Sequence, residues 1–503
     1  MWTAVSRVAG LVREIAAAAL FGIKGPINAF VIAFQIPNLL RSLVADAALS
    51  AAFVPVFTEL QEQGRHREAK RLAGALIGLI TMVLGGLSLI AIVTAPWVMP
   101  LFGWSLDPHQ TDDLIGLSQV LFPIVMLLGL TGLVMGILQS HGEFDSSAIA
   151  PVLWNVTILV FLIGVTPFLD ADTRIYAYAV GILIGTVIQL LYLLPGLRGK
   201  GPFPFSLGFA NPLVRRVLAL MLPVTIALGL INVNATVDTL IAQLVSEESV
   251  RAIDAAFRLY ILPQGIFSVA VSTVMFPTIS RLVARGDLPG VSRTVTSGIR
   301  QIFFTLVPST LFLMVLAEPI IRLVFQRGEF GPGATALTSE ALFFFTFGLM
   351  FNGGSLLLAR SFFSLKMPWV PTKVAFAAMV LNAALDLALY RPLGTGGIPL
   401  STSISSLFSF LALAWLLGKE VGGLDVRAIV DGFVKTLLAS ALLAAWAWGI
   451  WHAVDSALGD SLAAQILSVG LAGAGGIFAY LAACYGLRVP ETRMLGQLLR
   501  PLR

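Results

Sequence analysis

The chain has 503 residues, of which 57% are hydrophobic and only 12% charged, and its net charge is +5. A soluble globular protein carries about twice that charged fraction, so the composition excludes a soluble enzyme with a single anchor and implies a polytopic membrane protein. One cysteine, Cys484, excludes an internal disulfide, and neither the four histidines nor any GxxxxGK[ST] loop offers metal-ligand spacing or a site for ATP hydrolysis.

Apolar runs near twenty residues recur along the whole length and give fourteen candidate spans. The first, 1–22, contains SRVAGLVREIAAAALFG, an apolar helix interrupted by Arg7, Arg13 and Glu14. These charges break any signal-peptide core, so no cleavable leader is expected. A charge at mid-membrane costs about 2.5–3.5 kcal/mol on insertion scales, so each needs a purpose. On a straight helix Arg7 and Glu14 share one face, because seven residues is nearly two turns, and Arg13 lies about 120° around from it. The second span, 26–61, would reach roughly 54 Å and is too long for one crossing; Pro37 offers it a place to bend. Along it Asn28, Gln35, Ser42 and Asp46 fall on one arc with Arg41 beside them, a face suited to a wet cavity rather than lipid.

Further spans are expected at 72–101, 112–139, 147–169, 173–196 and 211–245, the last holding a buried Asp238 in INVNATVDTLIA. The eighth, 250–283, is again over-long and places Asp254 one turn from Arg258. After 294–318 and 334–362, span 369–390 carries LNAALDLAL, where Asn382 and Asp386 share a face at i, i+4. Span 395–418 opens on GGIPLSTS, with Ile398 and Thr402 one turn apart, and the last two spans are 427–451 and 461–486. Buried carboxylates with amide, hydroxyl and backbone oxygens, without nitrogen or sulfur ligands, suit a hard cation. Sodium, a proton on one carboxylate, and a neutral hydrogen-bonded network are the three readings.

Basic residues concentrate in alternate connections: Arg65, Arg67, Lys70, Arg71, Arg198, Lys200 and others on one side, against Lys24, Arg174, Arg251, Arg322, Arg327 and Arg391 on the other. The positive-inside rule then puts both termini in the cytoplasm and makes the net charge a topological signal, not a nucleic-acid surface. FVPVFTELQEQG (53–64) matches VMFPTISRLVARG (274–286), and APWVMPLF (95–102) echoes AEPIIRLVF (317–325) at nearly the same offset. The repeat predicts an all-α fold of fourteen transmembrane helices: a lobe at 1–200, a second at 201–420, and two appended helices with a tail at 421–503. Secondary transporters are commonly built this way, with the binding site between the repeats. Arg7, Arg13, Arg41 and Arg258 lie inside spans, and guanidinium forks match diphosphate oxygens. The alternative is structural ion pairing: Arg7 or Arg13 with Glu14, Arg41 with Asp46, Arg258 with Asp254.

SRVAGLVRE, INAFVIAFQIPNLLRSLVADAALSAAFVPVF, FRLYILPQGIFSVAVSTVMFPTISR and the charged loop VFQRGEF resemble the MurJ (MviN) family of lipid II flippases. That family belongs to the multidrug/oligosaccharidyl-lipid/polysaccharide exporter superfamily. The resemblance implies a multi-pass inner-membrane transporter, not an enzyme, that moves lipid II outward by alternating access. It assigns Arg7, Arg13, Arg41 and Arg258 to the diphosphate. It assigns Asp238, Asn382, Asp386, Thr402 and the carbonyl of Ile398 to sodium, and the last two helices to the lipid tail. A monomer, associating with cell-wall synthases and membrane lipids, is expected. Asn28 stands where the family usually has Asp, Glu14 replaces an Asp, Ser42 replaces an arginine, and Asp46-Ala47 replaces Glu-Gly. The competing readings are a flippase for another polyprenyl-diphosphate saccharide, such as an O-antigen precursor, and a cation-coupled drug exporter. The arginine set and the two added helices argue against the exporter.

Overall fold

The computed structural model describes residues 2–44, 47–208 and 211–492, and among them every regular element is a helix. They form two compact units, Met1–Arg251 with Arg327–Phe330, and Ala252–Gln326 with Gly331–Arg503.

The first unit contains α1 (Trp2–Phe21), α2 (Pro26–Val44), α3 (Ala47–Glu62), α4 (His66–Val98), α5 (Pro108–Leu121), α6 (Pro123–Ser140), α7 (Phe144–Val160), α8 (Arg174–Leu193) and α9 (Pro212–Val245). Local chemistry sets several starts. Asp107 accepts from the Gln110 amide while Gln110 reaches back to Asp107, a capping box ahead of Pro108. Asn211 likewise accepts from Leu213 before Pro212 opens α9. The core lies where α3, α4, α6 and α9 meet: Phe53, Phe57, Leu72, Leu76, Leu133, Ile137 and Val217 are almost wholly buried. In the long second span the described residues on either side of 45 and 46 are helical, α2 and α3, and Pro37 lies inside α2.

The next helix, α10 (Glu247–Pro263), begins in the first unit and continues in the second. The second unit then holds α11 (Val269–Ala284), α12 (Leu288–Val315), α13 (Ala317–Phe325), α14 (Pro332–Ser364), α15 (Trp369–Leu393), α16 (Gly397–Val421), α17 (Val426–Leu458) and α18 (Leu462–Gly486). A π-helical turn, Gln264–Ser268, joins α10 to α11 and accommodates the over-long eighth span. Packing of α12 on α17 and α17 on α18 buries Phe304, Leu443, Tyr480 and the lone Cys484. The Tyr480 hydroxyl donates to the Phe304 carbonyl at 2.5 Å.

Both copies of the longer repeated motif end alike: α3 is followed by Gly64 at φ +73° and α11 by Gly286 at φ +72°. The shorter echo does not. APWVMPLF closes α4 with a 3₁₀ turn, whereas AEPIIRLVF is the separate nine-residue helix α13, too short to cross a bilayer. Each expected span is occupied by helix, and ten helical segments among the described residues are long and apolar enough to cross a membrane. Unit boundaries differ from the repeat boundary at 200: α9 packs on α2 and α3, so it belongs with the first unit.

Candidate functional site

In the first unit, α1 lies along α7 and buries a charge cluster. Arg13 is 9% exposed; its guanidinium donates to Glu14 Oε1 at 2.6 Å and to Asn155 Oδ1 at 3.1 Å, and sits 4.8 Å over the Trp154 ring. Glu14, 3% exposed, also accepts from both terminal nitrogens of Arg251, at 3.4 and 3.5 Å. One buried carboxylate therefore lies between two guanidinium groups, and the trio keeps an excess of one positive charge. Adjacent residues on a helix point about 100° apart, so the Arg13–Glu14 pair does not follow from the helix alone. Asn155 and Trp154 of α7 hold the arginine in that pose. Arg7, further up α1, is exposed.

At the turn after α1, Glu247 Oε1 accepts three hydrogen bonds: from the Gly25 amide at 2.9 Å, Asn28 Nδ2 at 3.2 Å and Gln110 Nε2 at 2.7 Å. Asn28 is fully buried and also donates to the Ile23 carbonyl. Lys24 pairs with Glu248 at 2.8 Å, and this hydrogen bond and charge hold its ammonium above the ordinary lysine pKa. The loop residues Arg327–Phe330 complete this corner, where the Glu329 amide donates to the Ala19 carbonyl at 3.0 Å. Gln35 donates to Thr239 of α9 at 2.8 Å. Asp46 lies outside the described residues, as do the side chains of Arg41 and Ser42.

In the second unit Arg258 and Asp254 form the expected i, i+4 pair through two hydrogen bonds of 3.2 Å, and the arginine stays about one-third exposed. The ion-pairing alternative is thus realised for Arg13 and for Arg258. Asn382 Nδ2 donates to Asp386 Oδ2 at 3.0 Å on α15, both residues buried. Thr402 donates to the Ile398 carbonyl at 3.3 Å. This oxygen-rich donor set fits a hard cation by its chemistry. Asp238, expected to be buried, is half-buried; it lies in the first unit, where it accepts from Asn234 Nδ2 at 3.2 Å.

A protein-family model described as Lipid II flippase MurJ matches residues 17–466. The chain belongs to the lipid II flippase MurJ family. The Lipid II flippase MurJ of Burkholderia cenocepacia is 31% identical over 426 residues, covering 83% of this chain and 82% of that one. The probable lipid II flippase MurJ of Bdellovibrio bacteriovorus is 31% identical over 447 residues, covering 87% and 84%. A solved Lipid II flippase MurJ in an inward closed conformation is similar in fold, with a TM-score of 0.80 at 23% identity over 97% of this chain and 98% of that one. An inward-facing multidrug resistance MATE family transporter gives 0.67 at 14% identity, over 84% and 93%.

Sequence reasoning on this MurJ family member missed Arg251 and Glu247. Arg251 counts as a loop cation by position, yet it is 2% exposed and bonded to Glu14. A signal was present: Arg251, Asp254 and Arg258 recur at i, i+3 and i+7, one face of a helix that starts at Glu247. Asn155 and Trp154 carried no such pattern, lying in the largely apolar run 150–160, and Gln110 sits in the polar stretch DPHQTDD, where nothing singles it out.

Proposed function

We propose that this chain is a lipid II flippase of the cytoplasmic membrane, a transporter rather than an enzyme. It carries the undecaprenyl-diphosphate-linked peptidoglycan precursor from the inner to the outer leaflet by alternating access. The observation that carries the reading is the 31% identity, over most of both chains, to a protein named lipid II flippase. Fourteen membrane crossings with both termini cytoplasmic, and helices α17 and α18 flanking the polyprenyl tail, belong to the same proposal.

The chemistry rests on guanidinium groups. The diphosphate is doubly anionic, and planar forks bind such oxygens in pairs. Arg7 and Arg258 are accessible for this, and Arg41 is assigned with them. Arg13 can contribute its field from a buried position and its fork when Glu14 is left to Arg251, because the two arginines hold different oxygens of that carboxylate. A sodium ion, when bound, would neutralise buried acid. Asn382, Asp386, Thr402 and the Ile398 carbonyl are the oxygens proposed to hold it. Membrane potential adds about 2.3 kcal/mol per charge per 100 mV, enough to bias the return step.

The test is replacement of an essential lipid II flippase by this gene, with lipid II on the outer leaflet as the readout. Restored exposure is expected. Failure at normal membrane abundance would assign the chain another lipid-linked substrate.

A further inference from the structure

A second constellation lies on the first unit, apart from the buried charges. The end of α3, the start of α4 and the segments after α6 and α8 enclose a cavity of about 320 Å³ lined by Phe57, Gln61, His66, Lys70, His141 and Lys200. Its chemistry is that of an anion site. Lys70 is half-buried, with its ammonium 3.3 Å from the Gly201 carbonyl. Lys200 is held by Glu143 at 2.5 Å and by the Gly196 carbonyl at 2.7 Å, which leaves one of its three donors for a ligand. His141 forms a wall of the cavity, with Nδ1 2.8 Å from the Ile137 carbonyl and Nε2 2.9 Å from the Gln61 side-chain amide. His66 opens α4 and is exposed. Lys70 and Lys200 line the cavity and Glu143 pairs with Lys200, so these three groups together keep an excess of one positive charge.

The neighbouring chain says where this anion comes from. The segment running past the cavity exposes Leu194, Phe205 and Leu207, and Gly201 of that segment is the residue Lys70 touches. Apolar side chains beside a basic pocket belong at a lipid surface, where basic pockets take phosphate head groups. We propose that this cavity binds the phosphate of an anionic glycerophospholipid, whose acyl chains lie against Leu194, Phe205 and Leu207. The site is distinct from the diphosphate machinery and stands whether or not lipid II is the cargo.

Full-length protein in detergent, incubated separately with dioleoyl phosphatidylglycerol, dioleoyl phosphatidylcholine and inorganic phosphate, tests this by native mass spectrometry. Phosphatidylglycerol is retained and phosphatidylcholine is not. Lys70→Gln lowers retention about fivefold, the effect of one basic charge at an anionic lipid surface. His66→Gln, on an exposed side chain that does not threaten folding, lowers it in the same direction. Arg198→Gln, exposed and outside the lining, leaves it unchanged. Equal retention in wild type, Lys70→Gln and His66→Gln overturns the proposal, and so does an equal loss in Arg198→Gln, which would mean diffuse attraction. Displacement of phosphatidylglycerol by inorganic phosphate at equal concentration identifies a soluble anion as the occupant and overturns the lipid assignment.

Discussion

Substituting Gly328 by alanine tests how the loop 326–330 is held on the first unit. Gly328 sits at φ +56°, and a Cβ built there overlaps the Ala19 carbonyl oxygen, the acceptor of the Glu329 amide. Gly22 faces the same contact from the other side, since its Cβ would meet the Glu329 carbonyl oxygen at 2.6 Å. A side chain in the left-handed region costs about 1–2 kcal/mol. Forcing a methyl group into filled space costs about 1–3 kcal/mol. The hydrogen bond lost with it is worth about 1 kcal/mol. At the low end these sum to about 3 kcal/mol, roughly a hundredfold in the opening equilibrium of the loop. Hydrogen-exchange mass spectrometry on peptides spanning 324–331 reads that ratio directly, through protection of the Glu329 amide. Gly333→Ala is the control: a Cβ there has nothing within 4 Å, so exchange should stay within about threefold of wild type. Unchanged protection in Gly328→Ala would refute the close docking of this loop on α1.

Three further outcomes are expected. Arg251→Gln leaves the Glu14 carboxylate with one fewer partner in a buried site and should cost about 3–5 kcal/mol, seen as a lower thermal midpoint; adding Glu14→Gln should recover part of it, and no change in either would place the carboxylate in water. Arg258→Ala should abolish outer-leaflet exposure of lipid II without loss of folded protein, because the guanidinium is about one-third exposed and pairs with Asp254 one turn away on its own helix. Asp386→Asn should remove any difference in thermal midpoint between sodium chloride and choline chloride, and a retained difference would move the cation elsewhere.

What the amino-acid sequence alone determined depends on neighbours close along the chain. Apolar run lengths placed the helices, and i, i+4 spacing found the Arg258–Asp254 and Asn382–Asp386 pairs. A helix repeats every 3.6 residues, so such partners are fixed by number alone. The tertiary structure decided what each face meets. It set Arg13 against Asn155, 142 positions away, and gave Glu14 to Arg251 across 237 positions. It gathered Gly25, Asn28 and Gln110 onto Glu247 and returned Arg327–Phe330 to the first unit. Periodicity shows that a polar face must be turned away from lipid, but which distant side chain completes it depends on how the helices pack.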